Sequence, residues 1–259
     1  MVFEKDGYRI HYAQAGEGQD IVLLHGWGGC IGSWKPLMRD LSTRARVSVP
    51  DFPGHGQSAE PPVPWDVSDF ARAIADWMRA LGMEKADIVA HSFGGRVAIV
   101  LAAEYPQLVN RLVLSGVPVP GLLEMRPSPR KRLRSGVYRA LRAICSPALV
   151  GRVRAERMRE ALVQRFGSPD YRVLSPAMRK TFNRVIAQNL AVFLPRIQAP
   201  VLLVWGDQDT AAPIDIARAL EGRLKDAGLV VFEGADHFAY LREYPRFYAI
   251  VRQFLLEGR

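Results

Sequence analysis

A chain of 259 residues, 49% hydrophobic and 24% charged, has the composition of a soluble globular protein and the length for one large α/β domain or two small ones. No apolar run approaches the roughly 20 residues that span a bilayer, the opening Met-Val-Phe-Glu-Lys-Asp lacks the pattern of a secretory signal, and Cys30 and Cys145 stand apart without metal-ligand spacing, so a cytoplasmic protein without membrane association, disulfides or metal is expected. The net charge of +9 first suggests nucleic acid, but residues 118–195 hold 16 Lys or Arg against 4 Asp or Glu, a net of +12 that leaves −3 for the rest of the chain.

Val2 to Glu4 and Arg9 to Ala13 alternate apolar and polar residues around Lys5-Asp6-Gly7, as two antiparallel edge strands would. Ile21 to Leu24 reads as a buried strand running into His25-Gly26-Trp27-Gly28-Gly29, a turn with enough glycine to bring backbone N–H groups close to a ligand. His25 is expected to fix that loop. Val47 to Val49 is another short strand, and it ends in Pro50 through Ser58, where Asp51 and His55 are expected to be turn residues and not catalysts. From Val67 to Leu81 the apolar residues Phe70, Ile74, Trp77, Met78 and Leu81 recur at helical spacing, behind Ser68 as a cap and ahead of Gly82 as a stop.

Asp87 to Arg96 then joins a short buried strand to a helix through Ser92. In a nucleophile elbow the serine takes a strained conformation at the top of the sheet, and the residues two before and two after it must be small. Ala90 and Gly94 meet that condition, with alanine where Gly-x-Ser-x-Gly has its first glycine. The alternative is a serine that merely caps the helix beginning near Phe93. Arg111 to Leu114 continues an alternation of strands and helices that implies a mostly parallel sheet covered on both faces.

From Val119 to Leu194 no strand run is found, and apolar residues recur at helical spacing between prolines and glycines, so 118–195 reads as a helical insertion between core segments 1–117 and 196–259. The sheet resumes with Val201 to Trp205, followed by Gly206 through Pro213. After a helix come Leu229 to Phe232, the loop Glu233 to Phe238, and a closing amphipathic helix from Tyr244 to Leu256.

A serine hydroxyl is a poor nucleophile until a base removes its proton, and an imidazole base needs a carboxylate to fix its tautomer. Ser92, Asp209 and His237 each follow an apolar strand, so a parallel sheet would carry all three to its carboxyl edge. The two donors of an oxyanion hole would be the backbone N–H groups of Trp27 and Phe93. No cofactor is called for. An apolar pocket under the insertion, lined in part by Trp27, Phe93 and Phe238, would take a small ester.

With His-Gly-Trp-Gly at 25–28, the elbow at 90–94, Trp205 through Pro213 and Asp236-His237, the chain resembles the α/β-hydrolase superfamily over nearly its whole length. The resemblance implies Asp209, not Asp207, as the acid of the triad, and a mobile helical cap over 118–195. Serine at the elbow argues against the dehalogenase and epoxide hydrolase branches. Within the superfamily the chain looks most like the pimeloyl-acyl-carrier-protein methyl ester esterases, in which cap arginines dock an acidic carrier protein. Arg130, Arg132, Arg134, Arg139, Arg142, Arg152, Arg154, Arg157 and Arg159 would serve that purpose here, Arg154 and Arg157 foremost; a solvated basic surface without a partner is the other reading. The expected activity is that of a serine carboxylesterase, with a general carboxylesterase or thioesterase, or a non-catalytic ligand-binding protein on the same fold, as alternatives. Nucleic-acid binding is set aside because no base-reading motif accompanies the basic residues.

Overall fold

The computed structural model describes residues 1–123 and 129–257. The chain forms two compact units, Met1–Leu123 with Asn183–Arg259, and Glu124–Phe182. All eight strands of the described residues lie in the first: β1 (Val2–Lys5), β2 (Tyr8–Ala15), β3 (Asp20–Leu24), β4 (Arg46–Pro50), β5 (Ala86–His91), β6 (Val109–Ser115), β7 (Val201–Gly206) and β8 (Ala227–Phe232). They make one sheet in the order β1-β2-β4-β3-β5-β6-β7-β8. β1 with β2 and β2 with β4 are antiparallel, and every later pair is parallel. The β1–β2 hairpin turns through Asp6 and Gly7 at φ 47° and 78°, the left-handed pair whose twist suits a two-residue connection.

The inner parallel strands are largely buried on both faces, while β8 at the edge is mostly half-buried, and the side chains of the inner strands feed two cores by simple alternation. Val22, Leu24, Ile88, Ala90, Leu112 and Leu114 go to one, while Ile21, Leu23, Val89 and Val113 go to the other. Helices α1 (Lys35–Leu41), α2 (Val67–Ala80) and α3 (Phe93–Glu104) belong to this unit. Asp66, not Ser68, caps α2: its Oδ1 accepts from the N–H groups of Ser68 and Asp69 at 2.9 and 3.1 Å, while Asp69 Oδ2 accepts from the Asp66 N–H at 3.0 Å. The reciprocal box satisfies N–H groups that the helix itself leaves open. Gly82, at φ 69°, ends the element as expected.

In the second unit lie α4 (Pro129–Ile144), α5 (Pro147–Val150), α6 (Arg152–Phe166) and α7 (Pro169–Arg172), and α8 (Pro176–Ala187) crosses the boundary at 183. The unit is shorter than the 118–195 expected from the sequence. Val119, Leu122, Val185, Leu190, Phe193 and Leu194 have helical or irregular spacing like their neighbours, but they are buried in the first unit's core. The chain closes with α9 (Ile214–Arg223), α10 (Ala239–Arg242) and α11 (Tyr244–Arg252). No helix among the described residues is long and apolar enough to cross a membrane.

Candidate active site

Ser92 stands between the last residue of β5 and the first of α3, with φ 51° and ψ −112°. A non-glycine residue in that region costs on the order of 1–3 kcal/mol. Close packing of the turn holds it there: a Cβ on Gly94 would lie 2.3 Å from the Leu24 carbonyl oxygen, and one on Gly95 would lie 2.1 Å from Val117 Cγ2. Position 90 is less crowded. Ala90 lies in register between Leu24 of β3 and Leu114 of β6, with its methyl in the core, so alanine fits where the motif has glycine.

His237 Nε2 lies 3.0 Å from Ser92 Oγ, and its Nδ1 lies 2.8 Å from Asp209 Oδ2. A carboxylate can only accept at that distance, so Nδ1 carries the proton and the Nε2 lone pair faces the serine hydroxyl. Asp209 is buried, and its other oxygen accepts from the N–H groups of Ala211 and Ala212, both at 2.8 Å. Three constraints on one carboxylate fix both its position and its plane. The neighbouring acid is spent elsewhere: Asp207 Oδ1 accepts from the Gly234 N–H at 2.8 Å and ties the two loops together. The residues from three separate strand ends thus form one hydrogen-bonded line able to transfer a proton from the serine.

Glycines that the sequence does not distinguish from ordinary turn residues make this approach possible. Gly116, just after β6, has φ 58°, and a Cβ there would sit 3.1 Å from both Asp209 Oδ2 and His237 Nδ1. At Gly206 a Cβ would lie 2.2 Å from the Ala235 carbonyl oxygen. The available signal is position alone: Gly116 directly follows β6 and Gly206 is the last residue of β7.

The other histidines and Asp51 have structural surroundings. His25 Nε2 accepts from the Phe52 N–H at 3.2 Å, so Nδ1 is the donor to the Gly26 carbonyl at 2.8 Å, and burial pushes the ring down to about 4. His55 Nδ1 lies 3.2 Å from the Pro53 carbonyl, and burial, helped by His25, pushes it down to about 3. Asp51 accepts from the N–H groups of Ile31 and Gln57 at 2.7 and 3.0 Å and lies 2.9 Å from His11 Nδ1. All three fix the loops after β3 and β4, as the sequence suggested.

Trp27 packs edge-on against Phe93 at 5.1 Å and His55 at 4.7 Å. Phe93 is the first residue of α3, so its N–H is among those that an α-helix does not itself use. Phe238 is 47% exposed, with its ring 5.4 Å from that of His237. In the second unit Arg139, Arg142, Arg152, Arg154, Arg157 and Arg159 are exposed, and the side chains of Arg130, Arg132 and Arg134 lie outside the described residues. Glu160 is held down to about 2 by hydrogen bonds from Arg179, 2.5 Å away, and from Gln164. Among the described residues no group of three or more His, Cys, Asp or Glu is arranged to hold a metal.

The model of the α/β-hydrolase fold family matches residues 21–244. The chain is 31% identical to a 2-hydroxy-6-oxononadienedioate/2-hydroxy-6-oxononatrienedioate hydrolase of Paraburkholderia phymatum, over 95% of this chain and 91% of that one. It is 30% identical to a pimeloyl-[acyl-carrier protein] methyl ester esterase of Neisseria meningitidis, over 92% and 93% of the two chains. Among solved structures it is similar to Est816, described as an N-acyl homoserine lactone degrading enzyme, with a TM-score of 0.76, 27% identity, and 98% and 100% coverage. The elbow, the eight-stranded sheet and the match over most of its length establish that the chain belongs to the α/β-hydrolase family.

Proposed function

We propose that this chain is a serine hydrolase that cleaves carboxylic esters through an acyl-enzyme intermediate. The observation that carries the reading is the line Ser92, His237, Asp209, with separations of 3.0 and 2.8 Å, which suits a ring that donates to the aspartate and accepts from the serine. In the proposed reaction Ser92 Oγ attacks the ester carbonyl carbon as His237 Nε2 takes the hydroxyl proton, while Asp209 orients the ring and stabilises its positive form. The backbone N–H groups of Trp27 and Phe93 receive the oxyanion. Collapse breaks the bond to the alcohol, which leaves with the proton from His237. Water, deprotonated by the same nitrogen, then attacks the acyl carbon, and the acid leaves as Ser92 regains its proton. The half-buried ring of Trp27 and the exposed ring of Phe238 offer apolar surface for the acyl part, whereas the Phe93 ring is buried among Trp27, Phe52, His55 and Phe70 and, unlike the sequence expectation, lines no open surface.

For the natural substrate we favour a methyl ester carried on an acidic acyl carrier protein, with Arg154 and Arg157 among the docking residues and the reaction in the cytoplasm. Support comes from the +12 held within 118–195 and from the Neisseria relative's name. A general carboxylesterase or a thioesterase would use the same steps. A second reading, hydrolysis of a 2-hydroxy-6-oxo-dienoate, is favoured by the name of the Paraburkholderia relative. Turnover should therefore be measured on p-nitrophenyl butyrate, a carrier-bound methyl ester and a 2-hydroxy-6-oxo-dienoate, with Ser92→Ala as control. Ester turnover that disappears in Ser92→Ala is expected. Turnover of the dienoate alone would select the second reading, and turnover of none, with tight binding of a small apolar ligand, would select a non-catalytic binding protein.

A further inference from the structure

His91, the residue immediately before the serine, plays no part in the proton transfers above, yet it is in direct contact with the histidine loop. It is the last residue of β5, is 3% exposed, and places Nε2 2.9 Å from the main-chain carbonyl oxygen of His237. A carbonyl only accepts, so Nε2 carries a proton, and in the neutral ring Nδ1 then carries the lone pair. On the Nδ1 side the space is taken by Gly26, where a Cβ would lie 3.0 Å from that nitrogen. The ring is enclosed by those of Tyr240, His237 and Phe238, with centroids 4.6, 4.8 and 5.5 Å away.

Other bonds hold the flanks of the loop. Gly234 N–H donates to Asp207, Gln208 N–H donates to the Ala235 carbonyl, Phe238 N–H donates to Asp236 Oδ1 and Arg242 pairs with Asp236. The bond from His91 grips the main chain of His237 itself. It also starts from the residue covalently joined to Ser92, so it links the nucleophile and the base by a path of one hydrogen bond and one ring.

We propose that His91 is a positioning residue: a neutral imidazole whose Nε2–H fixes the His237 carbonyl to the elbow and so sets the separation of His237 Nε2 from Ser92 Oγ. This rests on the serine hydrolase reading. A neutral ring suits the position, because a charged one beside His237 would oppose the imidazolium that forms there in turnover. Burial first, then the nearby His237, pushes His91 down to about 3.

The test compares His91→Gln with His91→Asn in the full-length protein. The glutamine amide nitrogen can occupy the place of Nε2, whereas the asparagine amide is too short to reach the carbonyl. Both side chains are polar and neutral, so their folding penalties are similar, and His91→Phe adds a ring without a donor. Steady-state kinetics on p-nitrophenyl butyrate should show kcat of the Gln variant about 10- to 100-fold above that of Asn and Phe, the penalty that misplacements of about 1 Å carry. KM should stay within about twofold throughout. Equal kcat for Gln and Asn, whether both high or both low, would overturn the proposal, as would a loss appearing only in KM. Ser92→Ala measured alongside separates the two claims, since persistent turnover there would remove the serine hydrolase reading whatever the His91 variants do.

Discussion

Replacing Gly116 by alanine adds one methyl group directly against the Asp209–His237 pair. Two costs follow. At φ 58° an alanine is strained by about 1–2 kcal/mol relative to glycine. The new Cβ would also lie 3.1 Å from Asp209 Oδ2 and His237 Nδ1 and 3.2 Å from His237 Cε1, a few tenths of an ångström inside ordinary contact, against groups that cannot swing away freely. Asp209 is held by two N–H groups and His237 sits between Asp209 and Ser92, so relief of the contact must lengthen the histidine's bonds. Urea unfolding should show a loss of about 1–3 kcal/mol, which in a chain of this size lowers Tm by roughly 2–4 °C per kcal/mol. Initial rates on p-nitrophenyl butyrate at a temperature where both proteins are fully folded should show kcat lower by about 10- to 100-fold. An alanine variant that loses the expected stability but keeps wild-type kcat would refute the reasoning, because the strain would then be absorbed without moving the histidine.

Asp209→Asn should reduce turnover by about four powers of ten by favouring the wrong tautomer of His237, while Asp207→Asn, which weakens only a loop contact, should stay within about tenfold; the reverse order would reassign the acid. His25, His55 and His91 are buried neutral, with values pushed down to about 4, 3 and 3. The unfolded chain protonates each near its ordinary value of about 6.5 and so binds more protons. Stability is therefore full above about pH 6.5 and is lost as pH falls toward about 4 for His25 and about 3 for His55 and His91, at up to about 1.4 kcal/mol per pH unit for each ring. Urea titrations at pH 7.5, 6 and 5 that superimpose would contradict that burial. Activity should survive dialysis against EDTA, and a requirement for added divalent metal would remove the backbone oxyanion hole from the account. If the basic insertion docks an acidic carrier, Arg154→Glu with Arg157→Glu should raise KM for the carrier-bound ester and leave the p-nitrophenyl ester nearly unchanged. Added salt should act in the same direction, with a screening length of about 8 Å at physiological ionic strength; equal responses for both substrates would leave the arginines a solvated surface.

The parts legible in the sequence were those that local chemistry dictates. Ile88 to Ala90 is too short for a helix and too apolar for an edge, so a buried strand ending at Ser92 follows, and β5 is buried at every residue. Loops after β7 and β8 carry Asp209 and His237 because parallel strands deliver their ends to one edge. Residue types alone did not separate Asp207 from Asp209, which share one turn and differ only in which faces the histidine; the family resemblance pointed to Asp209, and the 2.8 Å contact agrees with it. Ser68 and Asp66 are both good caps, and the choice falls to Asp66 because Asp69 returns the bond. Hydrophobic periodicity also cannot say what a face packs against, which is why Val119 and Leu194 read as part of the insertion but are buried in the sheet's core. The strand-end positions of His91 and Gly116 can be seen in the sequence, but their roles cannot, because those depend on His237, more than a hundred residues away in the chain.

The central claim is that Ser92 is the nucleophile, and the most direct measurement is covalent capture. The protein would be treated with diethyl p-nitrophenyl phosphate, digested, and mapped by mass spectrometry while residual esterase activity is followed. The account predicts one phosphoryl adduct, on Ser92, forming in step with the loss of activity and absent from His237→Ala. An adduct on another residue that accompanies inactivation, or full activity with Ser92 modified, would contradict it.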